Sequence, residues 1–206
     1  MADTFVDFRS IAGGRNLLVL TAAPGDESLC CGGLIAEAAA RGRPPFVAVL
    51  TDGSRIPIPG LNDPTPENIA ACHARQTMRA AAILGVPDEW RVVLGLFDGT
   101  VPTSGARFDA LVDALAMIMW RRDCYVVVVP WAGDTRPDYM ACHAIGVALA
   151  RTHDLGLVTY RTPNDLEGTN DALRLNPTPA LGRRSAALAM HPHITADFEE
   201  AYDPLK

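Results

Sequence analysis

The chain has no run of lysine and arginine, and across its 206 residues acids outnumber bases 24 to 18, for a formal net charge of -6 at pH 7. A surface of that sign without a basic stripe argues against nucleic acid or an anionic membrane as partner, and favours a neutral or weakly charged small molecule. No apolar stretch approaches the ~20 residues of a membrane-spanning helix. The opening segment, Met1 to Ser10, carries two aspartates and no apolar core, so a secretory leader is not expected. Cysteine is sparse: Cys30, Cys31, Cys72, Cys124 and Cys142 are an odd number without zinc-finger spacing. A disulfide framework is therefore not expected, and a reduced, cytoplasmic protein is the simplest reading. Trp120, Trp131 and Phe97 are too few and too separated for a base-stacking platform. Internal repeats and low-complexity tracts are also lacking.

What is present is an alternation of short apolar runs with longer segments of helical period. The runs predict strands at Leu17–Thr21, Phe46–Thr51, Arg91–Leu94, Tyr125–Pro130 and Leu157–Tyr160. Helices are expected at Leu29–Ala40, Glu67–Leu84, Arg107–Trp120 and Tyr139–Thr152, with a short strand at Ala172–Leu175 and a closing helix at Pro179–Met190. That rhythm predicts an α/β, Rossmann-like three-layer sandwich, with a mostly parallel sheet of about five to six strands and helices on both faces. One domain is expected over 1–206, with a core at about 16–160 and a C-terminal strand and helix in 161–206.

In such a sheet ligands sit beyond the carboxyl ends of the strands. That rule gathers the loops 22–28, 52–66, 95–105, 131–138 and 161–170 at one end of the molecule. Their polar residues, together with Tyr139 just beyond the fourth loop, are the candidate ligand-binding groups: Asp26, Glu27, Asp52, Arg55, Asp98, Arg136 and Tyr139. Asp138 and His143 are the candidate catalytic groups. The irregular stretch 53–66, rich in Pro and Gly, reads as a lid or as a contact between copies in a homo-oligomer.

Several blocks carry a family likeness: the turn APGDESLCCGG (residues 23–33), VLTDGSR (49–55), LGVPDEWRVVLGLFDG (84–99), VVVVPWAGDTRPDYMACHAIG (126–146) and LGRRSAALAMHPHIT (181–195). In order and spacing they resemble the PIG-L/LmbE-like family of zinc-dependent N-acetylsugar deacetylases. The resemblance implies a first turn His-Pro-Asp-Asp-Glu-Ser and a later turn His-Pro-Asp-His. Laid onto these, the ligand histidine falls on Ala23, the general-base aspartate on Gly25, the assisting histidine on Arg136 and the last ligand histidine on Tyr139. Asp26 keeps the second ligand position, Pro137 and Asp138 keep theirs, and Gln76 stands where the family often has glutamate.

A zinc hydrolase needs about three protein ligands and an open position for water, whose proton a carboxylate then takes. Alanine and glycine cannot coordinate, and a phenol titrating near pH ~10 is a poor ligand. No metal is therefore expected at this place, and two function classes follow. One is a pseudoenzyme: a deacetylase-like protein that binds a sugar-like small molecule, or packs as a subunit beside active relatives. The other is a working N-deacetylase of an N-acetylated sugar or amine, with zinc held by a rebuilt set such as Asp26, His143 and Cys31. His143 lies one helical turn beyond Tyr139 on the same face, and His73 and Cys142 are further potential ligands. For the cysteines the alternative is core packing, and for Arg136 an ion pair with Asp26 or Asp138 in the space the metal left. The segment His191-Pro192-His193 reads as the chain turning off its last helix.

Overall fold

A computed structural model describes residues 5–6, 11–162, 174–175, 181–191 and 194. Its elements in chain order are β1 (Phe5–Val6), β2 (Asn16–Thr21), α1 (Asp26–Leu29), α2 (Gly32–Ala40), β3 (Phe46–Thr51), α3 (Pro66–Ile83), β4 (Arg91–Leu96), α4 (Ala106–Arg121), β5 (Cys124–Pro130), α5 (Pro137–His153), β6 (Gly156–Tyr160), β7 (Arg174–Leu175) and α6 (Leu181–Leu188). Five strands form one sheet in the order β4-β3-β2-β5-β6, and every pairing in it is parallel. β1 and β7 form a separate parallel pair.

Why these segments are strands follows from burial on both faces. Leu17 to Leu20, all of β3 and Val126 to Val129 are buried, as the continuous apolar runs demand of central parallel strands. Alternate residues point to opposite sides. Leu17, Val19, Val47, Val126 and Val128 pack beneath α2, Ala80 and Ala81 of α3, and Ala187 of α6. Leu18, Leu20, Ala48, Leu50, Val127 and Val129 pack against Val112, Leu115 and Met119 of α4 and Ile145 and Leu149 of α5. The sandwich thus has α/β layers as the alternation predicts. β4 and β6, at the two edges, are only partly covered.

One helix differs from expectation. The segment Leu29–Ala40 is not continuous: α1 is a single turn that ends at Leu29, and α2 begins at Gly32 with Cys31 as its N-cap. The turn before α1 requires Gly25 at φ 98°, which starts the helix three residues earlier than the apolar pattern suggests. The segment Asn164–Asn170 lies outside the described residues. A short 3₁₀ turn at Asp88–Trp90, preceding β4, had no sequence signal of its own.

The strand order reverses between β2 and β5: the chain moves outward through β3 and β4 on one side, then through β6 on the other. The loops after β2 and β5 therefore diverge from a common crevice, the switch point at which ligands bind in such sheets.

Close approach of α5 to β5 depends on Gly146, where a Cβ would lie 2.4 Å from Val129 Cγ1. Gly146→Ala should cost about 1–3 kcal/mol by overpacking. Urea unfolding of that variant, and of Gly146→Ala with Val129→Ala, checks the contact: the second change should recover part of the loss.

Candidate functional site at the switch point

The turn after β2 is held by its own acids. Asp26 Oδ2 accepts from the Ala23 amide at 3.3 Å, and Glu27 Oε2 accepts from the Gly25 amide at 2.8 Å. Glu27 Oε1 accepts from Ser28 Oγ at 3.2 Å and from His191 Nε2 at 3.0 Å. Both Glu27 and His191 have no solvent exposure. Glu27, placed by sequence among the ligand-facing groups, is turned inward. His191 is more than a residue leaving its helix: its ring ties the segment just after α6 to α1.

Asp26 is buried as well, at 6 % exposure. Burial pushes its carboxyl up to about 7, against the opposing effects of the Tyr139 hydroxyl and the Arg136 guanidinium. Tyr139 is buried beside it, and burial, then the Asp26 charge, raise its phenol well above the ordinary range.

The turn after β5 supplies the facing wall. Arg136 is the N-cap of α5, with Pro137 at the first helical position. Its guanidinium grips Asp134 through Nε at 3.0 Å and Nη2 at 2.5 Å, reaches Thr162 Oγ1 at 3.2 Å, and lies 3.3 Å from the centre of the Tyr139 ring. Burial of Asp134 pushes its carboxyl up, but the Arg136 side chain and amide outweigh that and hold it below the usual range. The ion pair expected between Arg136 and Asp138 is replaced by this one. Asp138 instead accepts from the Gly99 amide at 2.6 Å and the Val101 amide at 3.2 Å, tying the loop after β4 to α5.

The other acids of the rim are likewise engaged with backbone. Asp52 Oδ1 accepts from the Ser54 amide at 3.0 Å, and Asp98 Oδ2 accepts from the Arg55 amide at 2.9 Å. Arg55 is exposed and its guanidinium lies 5.0 Å from the Phe97 ring. His143 is half-buried on α5, its Nδ1 donating to the Pro130 carbonyl at 2.8 Å. Thus Asp26, Arg136 and Tyr139 are brought together, whereas Asp52, Arg55, Asp98 and Asp138 build the adjoining loops. Trp131 and Arg161 add a second stacked pair at the rim, 3.9 Å from cation to ring centre. The Trp131 amide donates to the Tyr160 carbonyl at 2.8 Å, joining the ends of β5 and β6.

Whether zinc fits depends on the donor set. At the family's ligand places stand Ala23, Asp26 and Tyr139, which offer one carboxylate and a phenol well above its ordinary range. A Cβ on Gly25 would lie 2.2 Å from Ile194 Cδ1, so an apolar side chain fills the space a base there would need. No group of three His, Cys, Asp or Glu side chains among the described residues could hold a metal ion. The set Asp26, His143 and Cys31 does not come together as ligands. The residues present do not fit the family's metal. Cys31 and Cys142 are buried thiols, raised above their ordinary range first by burial and next by the nearby Asp26. His73 is buried, and its Nε2 donates to the Ile56 carbonyl at 3.0 Å.

Comparison with known proteins agrees with this architecture. Residues 18–150 match the family described as GlcNAc-PI de-N-acetylase (PIG-L), and the chain belongs to that family. No curated protein sequence matches it significantly. Among solved structures, an N,N'-diacetylchitobiose deacetylase from Pyrococcus horikoshii superposes with a TM-score of 0.71 at 16% identity, over 91% of this chain and 73% of that one. A deacetylase of the teicoplanin biosynthesis pathway, in complex with teicoplanin, gives 0.66 at 15% identity, with 88% of each chain covered. The 4-carboxy-2-hydroxymuconate hydratase of Pseudomonas putida gives 0.66 at 18% identity, over 88% of this chain and 83% of that one. At these identities the likeness is one of fold. The fold carries both deacetylases and a hydratase, so it does not choose a reaction.

Two measurements follow from the geometry. Unfolded, the Asp26 carboxyl titrates near 3.8 and folded near 7. Between those values the folded chain keeps a proton that the unfolded chain has released. Stability from this group is therefore full below its unfolded pKa and falls as pH rises toward 7, by on the order of 4 kcal/mol in total. Carboxyl ¹³C NMR should show the Asp26 midpoint near 7, and Asp26→Asn should flatten the decline; a bound metal would instead keep the carboxylate ionised well below that. Glu27→Ala leaves a buried imidazole and an amide without their acceptor. It should cost about 3–5 kcal/mol in denaturant unfolding.

Proposed function

We propose that this chain is a family member without the family's zinc chemistry, which binds a sugar-like small molecule at the crevice between the ends of β2 and β5. The observation that carries this reading is the coordinated refilling of the metal's surroundings. Ile194 stands against Gly25, Tyr139 faces Asp26, and Arg136 is stacked on Tyr139 and locked to Asp134. Changes in two turns distant in sequence meet at one point, and together they satisfy one another. Five free cysteines support the expectation of a reducing, cytoplasmic setting. No helix among the described residues is long and apolar enough to cross a membrane.

A second reading keeps a hydrolase, an N-deacetylase with its metal elsewhere. It is favoured by His143, because a backbone carbonyl holds Nδ1 while Nε2 makes no hydrogen bond among the described residues, as in many ligating histidines. Against it stands the lack of companion ligands among the described residues.

Elemental analysis of tag-free protein, loaded with zinc and dialysed, separates the two. The binding reading expects no retained zinc. Near one zinc per chain, lost in Asp26→Asn or His143→Ala, would overturn it and direct attention to deacetylation assays. The double variant Ala23→His with Tyr139→His should gain zinc without gaining activity, because the base position remains closed by Ile194. Loss of the Arg136 stack in that variant is expected to lower its melting temperature.

A further inference from the structure

Helix α4 is apolar on two sides, and the body of the protein covers one of them. Its core side presents Val112, Leu115 and Met119, all buried. At 100° per residue, Ala110, Asp113, Ala114, Met117, Trp120 and Arg121 share the opposite side, and all six are exposed. Trp120 is 79 % exposed and Met117 55 %, the two highest values for large apolar side chains among the described residues. Asp113 is the one polar residue in the stretch 110–120. The outer side of a surface helix is ordinarily polar, and a helix apolar all round is a covered one. The apolar surface continues past Ala110 into a groove of about 260 Å³, lined by Leu96, Pro102, Arg107, Ala110 and Leu111.

The pattern on the outer side says what covers it. Asp113 and Arg121 stand four residues before and after Met117, and Ala114 and Trp120 three before and after. A second α4, laid antiparallel about a twofold axis through Met117, brings each Asp113 level with the other copy's Arg121. It also brings each Ala114 level with the other copy's Trp120. Acid meets base and the bulkiest side chain meets one of the smallest, each twice by symmetry. Neither Asp113 nor Arg121 is in an ion pair among the described residues. The register is selective: an axis through Ala114 would set Arg107 level with the other copy's Arg121. An anionic membrane is a poor alternative occupant, because Asp109 and Asp113 are both exposed on this helix and the chain carries a net charge of -6.

We propose that α4 is a self-association face, through which two copies of this chain pack antiparallel with Met117 on the twofold axis. Trp120 then lies over the other copy's Ala114, and Asp113 pairs with the other copy's Arg121. Such a contact closes on itself and gives a dimer rather than a filament. One helix from each copy makes an interface of the small class, below ~1,200 Å², so association in the micromolar range is expected. The contact uses no residue of the crevice between β2 and β5, so it stands independently of what binds there.

Sedimentation velocity of the full chain from ~1 µM to ~500 µM is the test. The mass should rise with concentration from 22.0 kDa toward twice that value. Met117→Glu sets two carboxylates on the axis and should abolish dimerisation over that range. Asp113→Arg and Arg121→Asp should each weaken association at least ~10-fold, by setting like charges level. Mixed in equal amounts, these two single variants should form a heterodimer, and the double variant should dimerise like the parent. Every changed side chain is exposed, so the melting temperatures at ~1 µM should match the parent's. A mass of 22.0 kDa at all concentrations would overturn the proposal. So would a dimer indifferent to Met117→Glu, which would move the contact to another surface such as the 53–66 loop. Failure of the two single variants to rescue one another would overturn the antiparallel register.

Discussion

The buried carboxylate of Glu27 is the joint on which this architecture turns. A fully buried acid is tolerated only when its oxygens are filled, and here the Gly25 amide, Ser28 Oγ and His191 Nε2 fill them. These three donors come from the turn, from α1 and from the far end of the chain. One side chain thereby fixes the left-handed Gly25, sets the direction of α1, and brings Ile194 against the turn. Asp26 inherits its position from that arrangement. It sits between Glu27, which holds the backbone, and Tyr139, which arrives from α5.

Seen from that joint, the crevice at the switch point is a set of compensations. Arg136 would be an expensive cation at a half-buried helix start, and Asp134, Thr162 and the Tyr139 ring offset the cost. Asp98 and Asp138 staple one loop to another through backbone amides, while Asp52 and Asp134 fix the amides of their own turns. The fold therefore keeps the family's loop positions while changing what those loops hold. A parallel sheet whose strand order reverses at β2 and β5 offers a crevice whatever the residues in it, which is consistent with a similar fold serving a deacetylase and a hydratase.

Much of this was legible in the sequence, and the limits have physical causes. Central strands were readable because burial on both faces leaves nothing but apolar residues: Phe46–Thr51 agrees residue for residue. The edges were read a residue or two short, since β4 and β6 are half-covered and mix polar with apolar positions. The break at Cys30 and Cys31 escaped because small residues fit a helix and its interruption equally well. In the site, local motifs gathered Asp26, Arg136 and Tyr139, and in the structure these three side chains adjoin. What sequence could not give was pairing over long separations: Glu27 with His191, or Asp138 with the amides of Gly99 and Val101. An acid in a loop looks the same whether it awaits a ligand or already holds a backbone amide. A histidine followed by proline near the end of a helix was the one available hint for His191.

Ile194 also limits how readily the crevice could be altered. Its methyl group occupies the volume that any side chain on residue 25 would enter, and the backbone there is at φ 98°. A carboxylate at residue 25 would require a smaller residue at 194 and a relaxed turn at 25, changes that gain nothing on their own. Arg136 and Tyr139 impose a similar order, since replacing either one strands the other or Asp134. Each of these side chains is held by its neighbours, so changing the chemistry of this crevice takes several simultaneous substitutions rather than one.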